Sequence, residues 1–162
     1  MGIRTDSKSP LKAGAPQTQS LRAWLTQPSR ASLRIGGCGH LLLEAGERTQ
    51  ARTRLVGEVL PRVAAMQPAR VSLFVGLAPG ADMLLLKAAT AWFTAQGIAC
   101  DVTALLPVPV THLVRDWVLR AQDGGYRISA AARARMQADA DALLARCDTI
   151  VPLYPDDISD ET

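Results

Sequence analysis

The sequence predicts an α/β protein, a three-layer sandwich in which a mainly parallel sheet of about four strands is flanked by helices. Short β-branched or apolar runs alternate along the chain with longer segments whose apolar residues recur at helical spacing. Glycine or proline separates most of these segments. Strand and helix that alternate in this way are typical of parallel sheets joined by right-handed crossovers.

The composition fits one globular domain. Of the 162 residues, 48% are hydrophobic and 20% are charged, and the net charge of +3 is too small for a dedicated duplex-DNA reader. The three cysteines are widely spaced without a CxxC pair, which argues against a zinc ribbon and a disulfide framework and favours the cytoplasm. No run approaches the ~20 apolar residues of a membrane span. Neither a membrane, a metal nor a cofactor is therefore expected.

The N-terminal part is predicted to be less ordered than the rest. Residues 1–30 are rich in Ser, Thr, Gln and Pro and are expected to form a loosely ordered leader. Within it, Trp24 and the leucines beside it are expected to form a short helix that docks on the surface. The domain itself spans 31–162. Its first strand is predicted at 31–36, where apolar and polar residues alternate up to a glycine-rich break.

A long helix is predicted from about residue 47 until Pro68 prevents its continuation. The next strand, 71–75, is continuously apolar, as in a sheet covered on both faces. It leads into a largely apolar helix at 82–96. The predicted inner face of the long helix consists of Ala51, Leu55, Val59, Val63 and Met66.

The C-terminal third continues the alternation. A strand is predicted at 98–106, a helix at 111–122, a second helix capped by Ser129, and a last strand at 149–154. No closing helix follows that strand in the sequence. We therefore expect either a small sheet with an uncovered last strand or a domain that is incomplete at its C-terminus.

Loops rich in glycine or proline follow the predicted strands, at the edge where parallel sheets bind ligands. The most informative is Gly-Leu-Ala-Pro-Gly-Ala-Asp at 76–82. Its glycines permit a tight turn and a close backbone approach, and the free amides of the following helix favour an anion, above all a phosphate. The candidate ligand-binding residues are Gly37, Gly39, His40, Gly76, Leu77, Ala78, Gly80, Ala81, Asp82, Pro107 and Asp116.

Individual side chains at this edge allow two interpretations each. His40 is a candidate to contact a phosphate or ribose, or to act as an acid or base, and the alternative is a histidine that caps a turn. Asp82 either accepts ribose hydroxyls or only favours the positive helix end. Asp116 is a pocket-rim group or a solvated carboxylate. Cys38 with His40 lacks further metal ligands, and a Walker motif is absent.

These motifs resemble those of the SLOG superfamily, a Rossmann-like group that includes the DNA-processing A (Smf) proteins and the LOG nucleotide phosphoribohydrolases. Gly39-His40 resembles a Gly-His-Arg motif, and the loop at 76–82 resembles a Ser-Gly-Leu-Ala-x-Gly-x-Asp loop. The segment from Leu-Leu-Pro at 105–107 to Asp116-Trp117 resembles Leu-Pro followed by Asp-Phe. The resemblance spans about residues 32–154.

The resemblance implies binding of a nucleotide or a nucleotide derivative. The chain departs from the pattern at Val75, which replaces a serine, and at Leu41, which replaces the arginine. The later Gly-Gly-Thr phosphate loop and the catalytic Arg and Glu motif of the LOG proteins are missing. We therefore expect a non-enzymatic or degenerate binding module.

Other functions stay open at this point. A nucleotide-processing hydrolase that uses His40 is one alternative. A single-stranded DNA-binding or protein-interaction module is another, and a second copy of the chain would then pair with the uncovered sheet edge.

Overall fold

The computed structural model describes residues 16–25, 32–37 and 42–154 of the chain. This part of the chain holds five strands and six α-helices. The strands are β1 (Gln17–Thr18), β2 (Leu33–Gly36), β3 (Arg70–Val75), β4 (Ala99–Leu106) and β5 (Thr149–Pro152). The helices are α1 (Leu21–Leu25), α2 (Ala45–Arg54), α3 (Leu60–Ala65), α4 (Ala81–Ala95), α5 (Leu113–Asp123) and α6 (Ala130–Leu144).

The strands form one all-parallel sheet in the order β1-β5-β4-β3-β2. Along the chain from β2 to β5, each new strand lies beside the previous one, and the sheet grows toward one edge. Because crossovers between parallel strands are right-handed, this order places α2 to α6 on the same face of the sheet. The ion pair of Lys87 on α4 with Asp139 on α6, at 3.1 Å, agrees with this arrangement. The predicted α/β, Rossmann-like sandwich of a parallel sheet flanked by helices is confirmed.

The main core lies between the sheet and the long helices. Val71, Leu73 and Val75 of β3 are at most 1% exposed, because alternate residues of the strand face this helix layer. Phe74 faces the opposite side, where the ring of Trp24 from α1 packs edge-on against it with centroids 5.6 Å apart. The second face is thus covered in part by the short helix predicted around Trp24.

The long helix predicted from about residue 47 is present as α2 and α3, but its buried face differs from the prediction. A π-helical turn, Leu55–Val59, connects α2 to α3. Pro61 has no amide to donate to the carbonyl four residues earlier, which favours a wider turn at this point. The wider turn rotates the helix by about one residue, so that Leu60 is buried while Val59 and Met66 are exposed.

The segment predicted as a leader includes an edge strand. The amide of Gln17 donates to the carbonyl of Asp148 at 3.0 Å, and that of Gln19 donates to Ile150 at 2.9 Å. The last strand, β5, was expected to be uncovered, but it lies between β4 and β1. Residues 26–31 are not described, so the domain boundary at residue 30 stays a prediction.

None of the helices in the described part combines the length and apolar character needed to cross a bilayer.

Candidate functional site

The loops that follow β2, β3 and β4 leave the sheet at the same edge. In the strand register Gly36 lies opposite Phe74, and Val75 lies opposite Ala104, so the carboxyl ends of the three strands are neighbours. The structure therefore brings together the loops that begin at Gly37, Gly76 and Pro107. This is the edge at which parallel sheets bind ligands.

The loop between β3 and α4 is closed from within by the side chain of Asp82. Its Oδ2 accepts a hydrogen bond from the amide of Gly76 at 3.0 Å and another from the amide of Ala78 at 3.3 Å. The side chain is buried, with 7% exposure of the residue. Gly76 and Ala78 are among the predicted ligand-binding residues, but in the structure their amides bind the carboxylate of the chain itself.

This position of Asp82 also changes its expected role. A carboxylate that is buried and bonded within its own loop is not available to accept hydrogen bonds from a ribose. Burial raises the pKa of Asp82 above its ordinary value, and the hydrogen bonds from Ala78 and Gly76 lower it by less. The side chain of Asp82 therefore fixes the shape of the loop.

Leu77 has an unusual backbone conformation within this loop. Its φ of 61° lies in the left-handed region, which costs a residue with a Cβ about 1–2 kcal/mol. The side chain is 1% exposed and belongs to the core, so its burial offsets that cost. Only the backbone of Leu77 is left for a ligand. The sequence pattern did not predict the left-handed conformation of Leu77 or its burial.

Two glycines allow close packing around the loop. A Cβ added at Gly76 would lie 3.0 Å from Asp82 Oδ2, so a side chain there would press against the carboxylate. A Cβ added at Gly37 would lie 2.5 Å from Cδ2 of Leu85 on α4. The absence of a side chain at Gly37 therefore lets the end of β2 lie directly against α4.

The start of α4 keeps amides for a partner. Gly80 is the N-cap residue, and its carbonyl accepts from Leu84 at 3.2 Å, while the carbonyl of Ala78 accepts from Met83 at 3.3 Å. No acceptor for the amides of Ala81 and Asp82 is found among the described residues. Such amides, at the positive end of a 15-residue helix, can bind an anion.

The remaining predicted residues are placed less favourably or lie outside the described part. Pro107 is exposed directly after β4. Asp116, on the first turn of α5, accepts from Nε of Arg120 at 2.7 Å, the arrangement of a helix-surface ion pair. Gly39 and His40 are outside the described residues.

Acidic, histidine and cysteine side chains do not gather into a set of three or more suited to a metal ion anywhere in the described ranges.

The fold and this edge define the class of the molecule: an α/β protein with a parallel sheet and a tight glycine-bracketed loop at the carboxyl ends of its strands. Comparison with models of known protein families, with curated proteins and with solved structures found no match to the chain.

Proposed function

We propose that the chain is a SLOG-like module that binds a nucleotide or a nucleotide derivative without converting it. The observation that carries the proposal is the start of α4, where the amides of Ala81 and Asp82 have no acceptor within the described residues. A phosphate is the group that such a helix start favours. The neighbouring loop after β2, which contains Gly39 and His40 in the sequence, is proposed to meet the ribose.

The internal hydrogen bonds of the loop support a preformed site. Because Asp82 ties Gly76 and Ala78 together, the loop does not have to be ordered when a ligand arrives. A site that is ordered in advance loses less conformational entropy on binding.

The cytoplasm is the proposed compartment. The three cysteines of the sequence, Cys38, Cys100 and Cys147, are odd in number and widely spaced without a CxxC pair, a usage that fits a reducing environment.

The proposal is tested by isothermal titration of the full chain with AMP, ADP, ATP, cyclic nucleotides and ADP-ribose. At least one of these is expected to bind. Ala81→Pro removes one of the proposed phosphate donors at a helix position that tolerates proline. It is expected to raise the Kd about tenfold or more, the effect of losing a hydrogen bond to a charged group.

Ala130→Pro is the control for the effect of proline on the fold, since Ala130 holds the same first position in α6. Circular dichroism and the Tm of both variants report whether the fold is intact. Absence of binding for the whole panel, or an unchanged Kd for Ala81→Pro in a folded protein, would overturn the proposal.

A further inference from the structure

A second place on the molecule has the properties of a ligand site. A cleft of about 340 Å³ lies between α5 and α6, and none of its lining residues belongs to the loops at the sheet edge. On one side it is lined by the segment that starts α5, and on the other by one face of α6. The lining residues include Thr111, Val114, Arg115, Ala130, Arg133 and Gln137.

The charge of this cleft is positive. Arg115 and Arg133 line it, and neither guanidinium forms an ion pair with a carboxylate of the described chain. The acidic side chains near them on the same helices have other partners. Asp116 binds Arg120 at 2.7 Å, Asp139 binds Lys87 at 3.1 Å, and Asp141 accepts from Nε2 of Gln137 at 3.0 Å.

The helix ends add to this charge. Arg115 is in the first turn of α5 and Arg133 is in the first turn of α6, so the N-terminal ends of both helices meet at the cleft. The first turns of both helices, which carry the positive ends of the helix dipoles, therefore lie beside the two guanidinium groups. Each feature alone is common on protein surfaces, but here an open cleft, two arginines without an ion pair in the described part of the chain, and the first turns of two helices coincide.

We propose that this cleft binds a small phosphate-bearing anion, with Arg115 and Arg133 contacting its phosphate oxygens. Guanidinium groups bind phosphate through paired hydrogen bonds in fixed geometry. The volume is that of a small-molecule site. Two arginines are few for a nucleic-acid backbone, whose binding depends on many phosphate contacts.

The test uses the full chain and pyrophosphate as the probe in isothermal titration, with inorganic phosphate alongside. Pyrophosphate is expected to bind, and binding is expected to weaken as the NaCl concentration rises. Arg115→Gln and Arg133→Gln are each expected to raise the Kd about tenfold or more. Both side chains are exposed, so the fold is expected to tolerate the changes.

Arg135→Gln is the matched control, because Arg135 is an exposed arginine of the same helix that does not line the cleft. It is expected to leave the Kd unchanged. Equal weakening by all three variants, or no binding at millimolar pyrophosphate, would overturn the proposal. Ala81→Pro separates the two proposed sites, since it is expected to leave pyrophosphate binding to the cleft intact.

Labelled single-stranded DNA distinguishes a free phosphate compound from a nucleic-acid backbone. Fluorescence anisotropy gives the Kd for a short labelled oligonucleotide. We expect this Kd to be higher than the Kd that isothermal titration gives for pyrophosphate. Tighter binding of the oligonucleotide, lost in Arg115→Gln and Arg133→Gln, would contradict the assignment to a small ligand.

Discussion

At the scale of single residues, Asp82 provides internally the negative charge that the amides of its loop would otherwise take from a ligand. One oxygen accepts from Gly76 and Ala78, and both bonds are charge-assisted when the carboxylate is ionised. The same group is buried, which opposes its ionisation. The loop is thus stabilised by hydrogen bonds and destabilised by a buried charge.

Replacing Asp82 should separate these two effects. Asp82→Ala leaves two partly buried amides without an acceptor and is expected to lower the free energy of unfolding by about 1–3 kcal/mol. Asp82→Asn keeps a side-chain oxygen and removes the charge, so its loss is expected to be smaller. Urea unfolding at pH 7 measures both. Equal losses for the two variants would mean that the acceptor oxygen is unimportant.

The pH dependence provides a control on the buried charge. Because the pKa of Asp82 is raised in the folded state, the folded protein keeps a proton that the unfolded chain has released above about pH 4. The quantity to follow is the free energy of unfolding of the wild type minus that of Asp82→Asn. This difference should fall as the pH rises from about 4 through the raised pKa of Asp82. A difference that does not change with pH would contradict a raised pKa.

This residue also marks where sequence reasoning reached its limit. The glycine spacing predicted a tight turn between β3 and α4, and a turn is present there, but its left-handed residue is Leu77 and not a glycine. It did not predict that Asp82 folds back, since that depends on the left-handed φ of Leu77. A buried leucine stabilises this conformation, and its burial is a tertiary effect that no local pattern contains.

At the scale of elements, the contact between β2 and α4 depends on a missing side chain. Gly37 follows β2, and a Cβ there would overlap Cδ2 of Leu85, which is itself largely buried. Gly36 lies one residue earlier and has open space around the same position. The two neighbouring glycines therefore form a matched pair for testing the close packing.

Gly37→Ala is expected to lower the free energy of unfolding by about 1–3 kcal/mol, the usual effect of excess volume in a packed region. Gly36→Ala is expected to be neutral or stabilising by up to about 1 kcal/mol, because alanine restricts the unfolded chain. Chemical denaturation of both variants checks this. If Gly37→Ala were as stable as Gly36→Ala, Leu85 would have moved aside at little cost.

Most elements were predictable because their apolar residues recur with a clear period. On α6, Met136, Ala140 and Leu143 are buried, and the hydroxyl of Ser129 accepts from the amide of Ala132 at 3.2 Å, which confirms the predicted cap. The buried face of the helix before β3 was not predictable in this way. There the π turn shifted the buried face from Val59 to Leu60, and a pattern that assumes 3.6 residues per turn cannot anticipate that shift.

At the scale of the molecule, the N-terminal segment decides which strands form the edges of the sheet. β1 pairs with β5, so among the described strands the edges of the sheet are β1 and β2. The connection from β1 to β2 spans the whole sheet and includes α1, while the other connections run between neighbouring strands. The sequence did not predict this order, because two exposed polar residues, Gln17 and Thr18, have no hydrophobic pattern of a strand.

Two proline variants should show whether β1 protects β5. Gln17→Pro removes the amide that donates to Asp148, so the strand is expected to loosen and the edge of β5 to become available to a second chain. Thr18→Pro is the control, since the alternation of a strand points the Thr18 amide away from β5. In size-exclusion chromatography, we expect more associated protein for Gln17→Pro than for Thr18→Pro. Identical profiles would show that β1 has no protective role.

In the proposed function, α4 offers the amides of its first turn to a phosphate, while the carboxylate of Asp82 binds the amides of Gly76 and Ala78. The most direct test is NMR of ¹⁵N-labelled full-length protein titrated with the nucleotide that binds best. We expect the amide signals of Ala81 and Asp82 to move most, and those of Gly76 and Ala78 to move less because they stay bonded to Asp82. Saturation of the protein without movement of the Ala81 and Asp82 signals would contradict the account.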